Sequence, residues 1–227
     1  SPLNFAAQFM RPPLKHIVSA QTLWLSAERC IYWEEQRSLI LADLHLGKTG
    51  HFRKAGIGVP QTVFKEDMQR LVNTVQFFKP EQLIIVGDMF HSESNKELEL
   101  FSKWRKDFSA LAVQLIRGNH DILQDEWYKA TAIDLHTDEL ITEHFVFQHD
   151  YNMPLQENNS KYFFCGHLHP GVYIKGMARQ SLRLPCFHFT ASCCTLPAFS
   201  RFTGLATVTR QRQDKVFAIV DNKVMMM

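Results

Sequence analysis

Short apolar runs punctuate this chain, and many of them end in a carboxylate or an imidazole. The stretches "CIYW" and "SLILAD" are too short and too uniformly apolar for helices and read as the opening strands. Phe64, Met68, Leu71, Val75 and Phe78 then recur at steps of four and three, which predicts one apolar stripe of a helix over 61–79. Pro80 stops it. "QLIIVGD" reads as a buried strand. A second helix is expected from about Lys96 to Leu111, with Leu98, Phe101, Phe108 and Leu111 turned inward, and "VQLIRGNHD" as the next strand with its exit loop. After residue 140 the pattern turns to strands alone: "HFVFQHD", "KYFFCGHLHP", "GVYIK", "LRLPCFHF", "GLATVTR" and "KVFAIVDNKVMM". Strand–helix alternation followed by a run of strands predicts a layered α/β domain with a mixed sheet or two stacked sheets. No repeat, low-complexity run or clear linker interrupts residues 1–227, and "QENNSK" reads as a loop, so one domain is expected.

Composition narrows this only a little. A hydrophobic content of 45%, with 18 Phe, is ample for a sizeable core. A net charge of +2 does not by itself predict a polyanionic partner, so a nucleic-acid binder would have to concentrate its cations locally. The five cysteines form no C-x-x-C pair and no even framework, which fits thiols used as small apolar residues in a reducing compartment. "SPLNFAAQFMRPP" lacks the basic start and long apolar run of a secretory signal. The longest uncharged stretch, 184–200, contains two Pro and a His and suits buried strands better than a membrane span. A cytoplasmic protein without a membrane partner is the expectation.

Five polar clusters share one placement, each just after an apolar run. They are Asp43 and His45 in "LILADLHLGK", Asp88 and His91 in "LIIVGDMFHS", Asn119, His120 and Asp121 in "LIRGNHD", His149 in "FVFQHD", and His167 and His169 in "FFCGHLHP". In α/β sheets, ligand sites gather beyond the carboxyl ends of the strands, so these residues are expected to converge. Converging Asp, His and Asn without Cys is a donor set for Mn²⁺, Fe²⁺ or Zn²⁺. Residues i and i+2 of an extended segment share a face, which lets D-L-H and H-L-H each aim two donors at one centre. Seven candidate ligands exceed what one ion takes. Two ions sharing a carboxylate are the natural reading, an arrangement suited to phosphoryl displacement. Taken singly, each cluster could be a turn, a helix cap or a hydrogen-bonded structural His; their joint occurrence in order is what speaks for a site. His16, His51, His136, His144 and His188 lack that context and are read as structural or exposed.

The ordered set D-x-H, G-D, G-N-H-D, a lone His and G-H-x-H resembles the calcineurin-like metallophosphoesterases, whose fold is a four-layer α/β/β/α sandwich with two mixed sheets. Across nearly the whole chain, "LADLHLGKTGHFRKAGIGVP", "GDMFHS", "GHLHPGV", "LRLPCF" and "LPAFSRFTG" look like the bacterial DNA ligase-associated members. That resemblance implies a phosphodiesterase favouring Mn²⁺, with Fe or Zn as alternatives. It further implies a nuclease on single-stranded DNA in a repair setting, with a DNA ligase and a helicase as partners. By motif, Asp43, His45 and His169 would hold the first ion and Asn119, His149 and His167 the second, with Asp88 bridging. His120 would stay off the metals as proton donor to the leaving group. Asp121 would orient the loop. Protein phosphatases continue G-D with x-x-D-R-G, but this chain continues with M-F-H-S. His91 therefore stands where an orienting Asp would be and is assigned to fixing the scissile phosphate or His120. The basic, aromatic stretch "GKTGHFRKAG" offers Lys48, His51, Arg53 and Lys54 as substrate contacts, against the plainer reading of a solvated loop. The alternative function is a phosphodiesterase or phosphatase for a small nucleotide, because the metal core sees a single phosphate.

Overall fold

The computed structural model describes residues 11–46, 62–90, 95–151, 161–175 and 181–227. Seven strands form the first sheet in the order of the chain: β1 Leu14–Val18, β2 Gln21–Ser26, β3 Cys30–Trp33, β4 Ser38–Ala42, β5 Gln82–Val86, β6 Ala112–Ile116 and β7 Asp134–His136. The first four pair antiparallel and the last four parallel. The amino-terminal strands "LKHIV" and "QTLWLS" precede the expected opening strands. Their alternating half-buried pattern, weaker than the apolar runs behind it, hid them in the sequence.

The parallel strands need crossovers, and helices supply them. α1 spans Thr62–Phe78 and α2 spans Asn95–Asp107, close to the predicted bounds; a short α3, Asp125–Ala130, carries too few residues to show a period. Lys79 closes α1 in a left-handed conformation (φ 48), and Pro80 cannot continue it. Strand alternation divides two cores. Leu39, Leu41, Leu83, Ile85, Val113 and Leu115 face the helices, where Phe64, Leu71, Val75, Phe101 and Trp104 pack on them. Ile40, Ala42, Ile84, Val86 and Ile116 face the second sheet.

Among the described residues the second sheet has nine strands. They are β8 Glu139–Ile141, β9 Phe145–Gln148, β10 Tyr162–Cys165, β11 Pro170–Lys175, β12 Ser181–Phe189, β13 Cys193–Thr195, β14 Ala206–Thr207, β15 Lys215–Val220 and β16 Lys223–Met226. It is mixed, with β9, β10 and β13 mutually parallel and β12 antiparallel to β11, β13 and β15. Phe145, Phe147, Phe164, Phe187 and Phe217 fill the space between the sheets. The outcome is the α/β fold of two stacked mixed sheets that the pattern predicted. Among the described residues every helix contributes to the core on the first sheet, and the outer face of the second carries Val146, Phe163, Cys165 and Cys193 under Tyr151. All five cysteines are buried and unbridged. No helix among the described residues is long and apolar enough to cross a membrane.

Candidate metal centre

β4, β5 and β6 run parallel, as do β9 and β10, and their carboxyl ends release the polar clusters together. Asp43 and His45 follow β4, Asp88 follows β5, Asn119 and His120 follow β6, His149 follows β9, and His167 and His169 follow β10. The donor atoms of Asp43, His45 and His169 lie within 4.8 Å of one another, and so do those of Asp88, His149 and His167. Ligands at about 2.0–2.4 Å from a shared ion would be separated by no more than this. Asn119 joins the second group, its Oδ1 3.0 Å from His149 Nε2.

The backbone is bent to achieve this. Asp43 (φ 51), His45 (φ 48), Asp88 (φ 47), His167 (φ 64) and His169 (φ 47) all sit in the left-handed region, which non-glycine residues seldom visit. Such strain persists only where the surroundings over-determine it, and it concentrates at functional sites. Parallel backbone contacts continue past the strand ends and hold the first two loops together, with His45 N donating to Asp88 O at 2.9 Å and Leu46 N to Met89 O at 2.9 Å. From the carboxyl side, "LPAFS" lies against β4: Phe199 N donates to Ala42 O at 2.7 Å and Ser200 N to Asp43 O at 3.2 Å. Ser200 Oγ in turn bonds Asp67 of α1, which Arg70 holds at 2.7 Å. The apolar run "LPAF" gives no sign in the sequence of this backbone role.

Three glycines make room for donors. A Cβ on Gly87 (φ +76) would stand 1.8 Å from His149 Nδ1, one on Gly118 2.2 Å from Asp88 Oδ1, and one on Gly166 2.9 Å from Asp43 Oδ2. Each directly precedes a proposed ligand, which gives a steric reason for G-D, G-N-H and G-H. Asp121 ties two loops together, its Oδ1 accepting from Met89 N (2.9 Å) and Phe90 N (3.0 Å) and its Oδ2 from Gly118 N (2.8 Å). Burial pushes its carboxyl up to about 7, with Asp88 adding to the rise and the N–H donors opposing it.

The donor set fits cations. His149 Nε2 faces Asn119 Oδ1 at 3.0 Å, His167 Nδ1 at 3.2 Å and Asp88 Oδ1 at 3.4 Å, and one nitrogen cannot donate to all three. His45 Nε2 and His169 Nε2 stand 3.2 Å apart, so two lone-pair positions compete for one proton. Asp43 is fully buried, and desolvation raises its carboxyl above the ordinary range while His169 and His149 pull it down. Lone pairs packed this closely would be satisfied by a positive ion in each group.

His120 belongs to neither group. Its backbone N–H donates to Asp88 Oδ1 at 3.0 Å, and its ring is edge-on to His45 with centroids 5.8 Å apart. His91, Lys48, His51, Arg53 and Lys54 lie outside the described residues. Three of the histidines read as structural or exposed have ordinary contacts: His188 pairs with Asp214 at 2.9 Å, His136 with Gln114 at 2.6 Å, and His16 packs on Phe189 and Phe217. An open groove bounded by Val75, Pro80, Phe108 and Leu111 lies at the amino ends of β5 and β6, opposite the strand ends that carry the clusters.

A search of curated proteins found no match. Among solved structures, the chain is similar to nuclease MPE of Pseudomonas putida, with a TM-score of 0.80 and 29% identity over 95% of this chain and 100% of that one. Residues 37–185, which span all five clusters, match the calcineurin-like phosphoesterase family. With its phosphoesterase clusters converging beyond the ends of two stacked sheets, the chain belongs to that family.

Proposed function

We propose that this metallophosphoesterase is a binuclear phosphodiesterase that cuts single-stranded DNA, using Mn²⁺ in preference to Mg²⁺. The observation that carries the reading is the pair of adjoining donor clusters in a chain similar, over nearly its full length, to a nuclease. Asp43, His45 and His169 would hold one ion and Asn119, His149 and His167 the other, with Asp88 as the ligand they would share. Four imidazoles among seven ligands favour Mn²⁺, Fe²⁺ or Zn²⁺ over Mg²⁺, which prefers oxygen. Two such ions supply Lewis acidity toward a phosphoryl oxygen and a hydrolytic nucleophile near neutral pH.

The protein's own groups do the rest. The Asp88 carboxylate is fixed by the backbone N–H of His120, which would hold it in place for both ions. Gly87, Gly118 and Gly166 keep the ligands close enough to share ions. His120, outside both clusters and part-exposed, donates a proton to the departing sugar oxygen. A repair setting with a DNA ligase and a helicase follows from the sequence resemblance.

The test is incubation of the purified protein with Mn²⁺ or Mg²⁺ and labelled single-stranded, duplex and cyclic-nucleotide substrates. Faster cutting of single strands with Mn²⁺ is expected. Hydrolysis of the cyclic nucleotide with no cut in any DNA would replace this reading with a small-nucleotide phosphodiesterase.

A further inference from the structure

Residues 158–213 contain seven Lys and Arg and not one Asp or Glu, although the whole chain carries a net charge of only +2. This acid-free stretch includes β10 to β14 and the ligands His167 and His169. β11 leaves directly from His169 and pairs with β12, placing Tyr173 opposite Arg183. The register locates this ribbon. Cys165 at the end of β10 is level with Thr195, and Thr195 is level with His188 of β12. Arg183 is five residues farther along, so at about 3.3 Å per residue it stands roughly 17 Å beyond that level. β11 runs parallel to β13 and β10, so the ribbon rises on the side where the ligands gather. It is anchored to the centre, because Ala206 N donates to His169 O at 3.0 Å and Val208 N to Gly171 O at 3.0 Å.

Tyr173 is 47% exposed. The Arg183 guanidinium lies 4.7 Å over its ring and donates to its hydroxyl and to Leu205 O (2.9 Å). Among the described residues no carboxylate pairs with Arg183. A rigid aromatic and a pre-oriented guanidinium within an acid-free stretch of the chain suit a ligand with both phosphates and flat rings.

We propose that the β11–β12 ribbon is a second binding subsite, in which Tyr173 stacks a base and Arg183 contacts a phosphate of single-stranded nucleic acid a few nucleotides from the scissile bond. This rests on the nuclease reading. The centre engages one phosphate, and the ribbon engages the polymer. Stacking tolerates every base, so the subsite reads strandedness rather than sequence.

The test measures kcat and KM on a single-stranded oligonucleotide and on an aryl phosphodiester for wild type, Tyr173→Ala, Tyr173→Phe, Arg183→Ala and Arg183→Lys. Anisotropy of a labelled oligonucleotide in EDTA runs beside it. Each Ala variant is expected to lower the ratio of DNA to aryl-ester efficiency about tenfold through KM, and to weaken oligonucleotide binding. Tyr173→Phe is expected to retain both, and Arg183→Ala to flatten the salt dependence by about one phosphate contact. Wild-type KM in both Ala variants, or equal losses on the two substrates, would overturn the subsite. If the wild type cut no DNA, the nuclease reading would fail. Anisotropy would then decide alone: binding that the Ala variants lose supports the subsite, and no binding by the wild type overturns it.

Discussion

Removing the Asp121 carboxylate should weaken the fold and the metal centre together, although Asp121 is outside both donor groups. Its two oxygens accept three backbone N–H groups: Met89 and Phe90 after the proposed bridging ligand, and Gly118 before Asn119. The residue is buried, 4% exposed. Each donor left buried without a partner costs about 1–3 kcal/mol, and the three are coupled, so Asp121→Ala should lose about 3–5 kcal/mol. Asp121→Asn keeps the volume. Its carbonyl oxygen can still serve Met89 and Phe90, while its amide group meets the Gly118 N–H donor to donor, so a loss of about 1–2 kcal/mol is expected. Both changes release the loop carrying Asp88 from the loop carrying Asn119. Partners that orient ligands typically contribute about 10- to 100-fold in metal affinity, and Mn²⁺ binding should fall by that amount. Urea unfolding of the metal-free protein gives the first quantity and Mn²⁺ titration calorimetry the second. Wild-type Mn²⁺ affinity in a clearly destabilised Asp121→Ala protein would refute the reasoning, since it would detach the loop staple from the centre.

Gly87→Ala places a Cβ 1.8 Å from His149 Nδ1 at a φ of +76. The imidazole must leave, and elemental analysis should find the second ion lost, while two retained ions would contradict the packing. His120→Ala should keep both ions and slow DNA cleavage about 10²–10⁴-fold, with little effect on nitrophenyl esters, whose leaving group needs no proton; equal losses on both substrates would count against proton donation. His16 is lowered to about 4 by burial, with Lys215 adding to the shift. The unfolded chain therefore takes up a proton near pH 6.5 that the folded one refuses, and stability should fall as pH drops from about 6.5 to 4. Urea midpoints across that range should show a shallower fall in His16→Phe than in wild type; identical slopes would remove His16 from the account.

Motif and period made the parallel half of the fold legible. "SLILAD", "QLIIVGD" and "VQLIRGNHD" are apolar because both faces of β4, β5 and β6 are covered, and continuous burial writes itself plainly into a sequence. β1 and β2 are partly exposed, and their weaker alternation left them unread. The clusters were legible because each donor sits just past such a run. What composition could not convey was how the chain turns there. Left-handed backbone at Asp43 or His169 leaves no mark in residue type, and the brace from Phe199 and Ser200 uses main-chain atoms that any side chain could carry. The glycines were visible, but only the distances reveal that Gly87 and Gly118 are spaces kept for His149 and Asp88.

The central claim is a pair of ions joined by Asp88. Electron paramagnetic resonance of the Mn²⁺-loaded protein, with the metal counted in the same sample, tests it most directly. Two Mn²⁺ per chain with the spectrum of an exchange-coupled pair are expected, and loss of that coupling in Asp88→Ala. One uncoupled Mn²⁺ per wild-type chain, or a coupled pair that survives in Asp88→Ala, would contradict it.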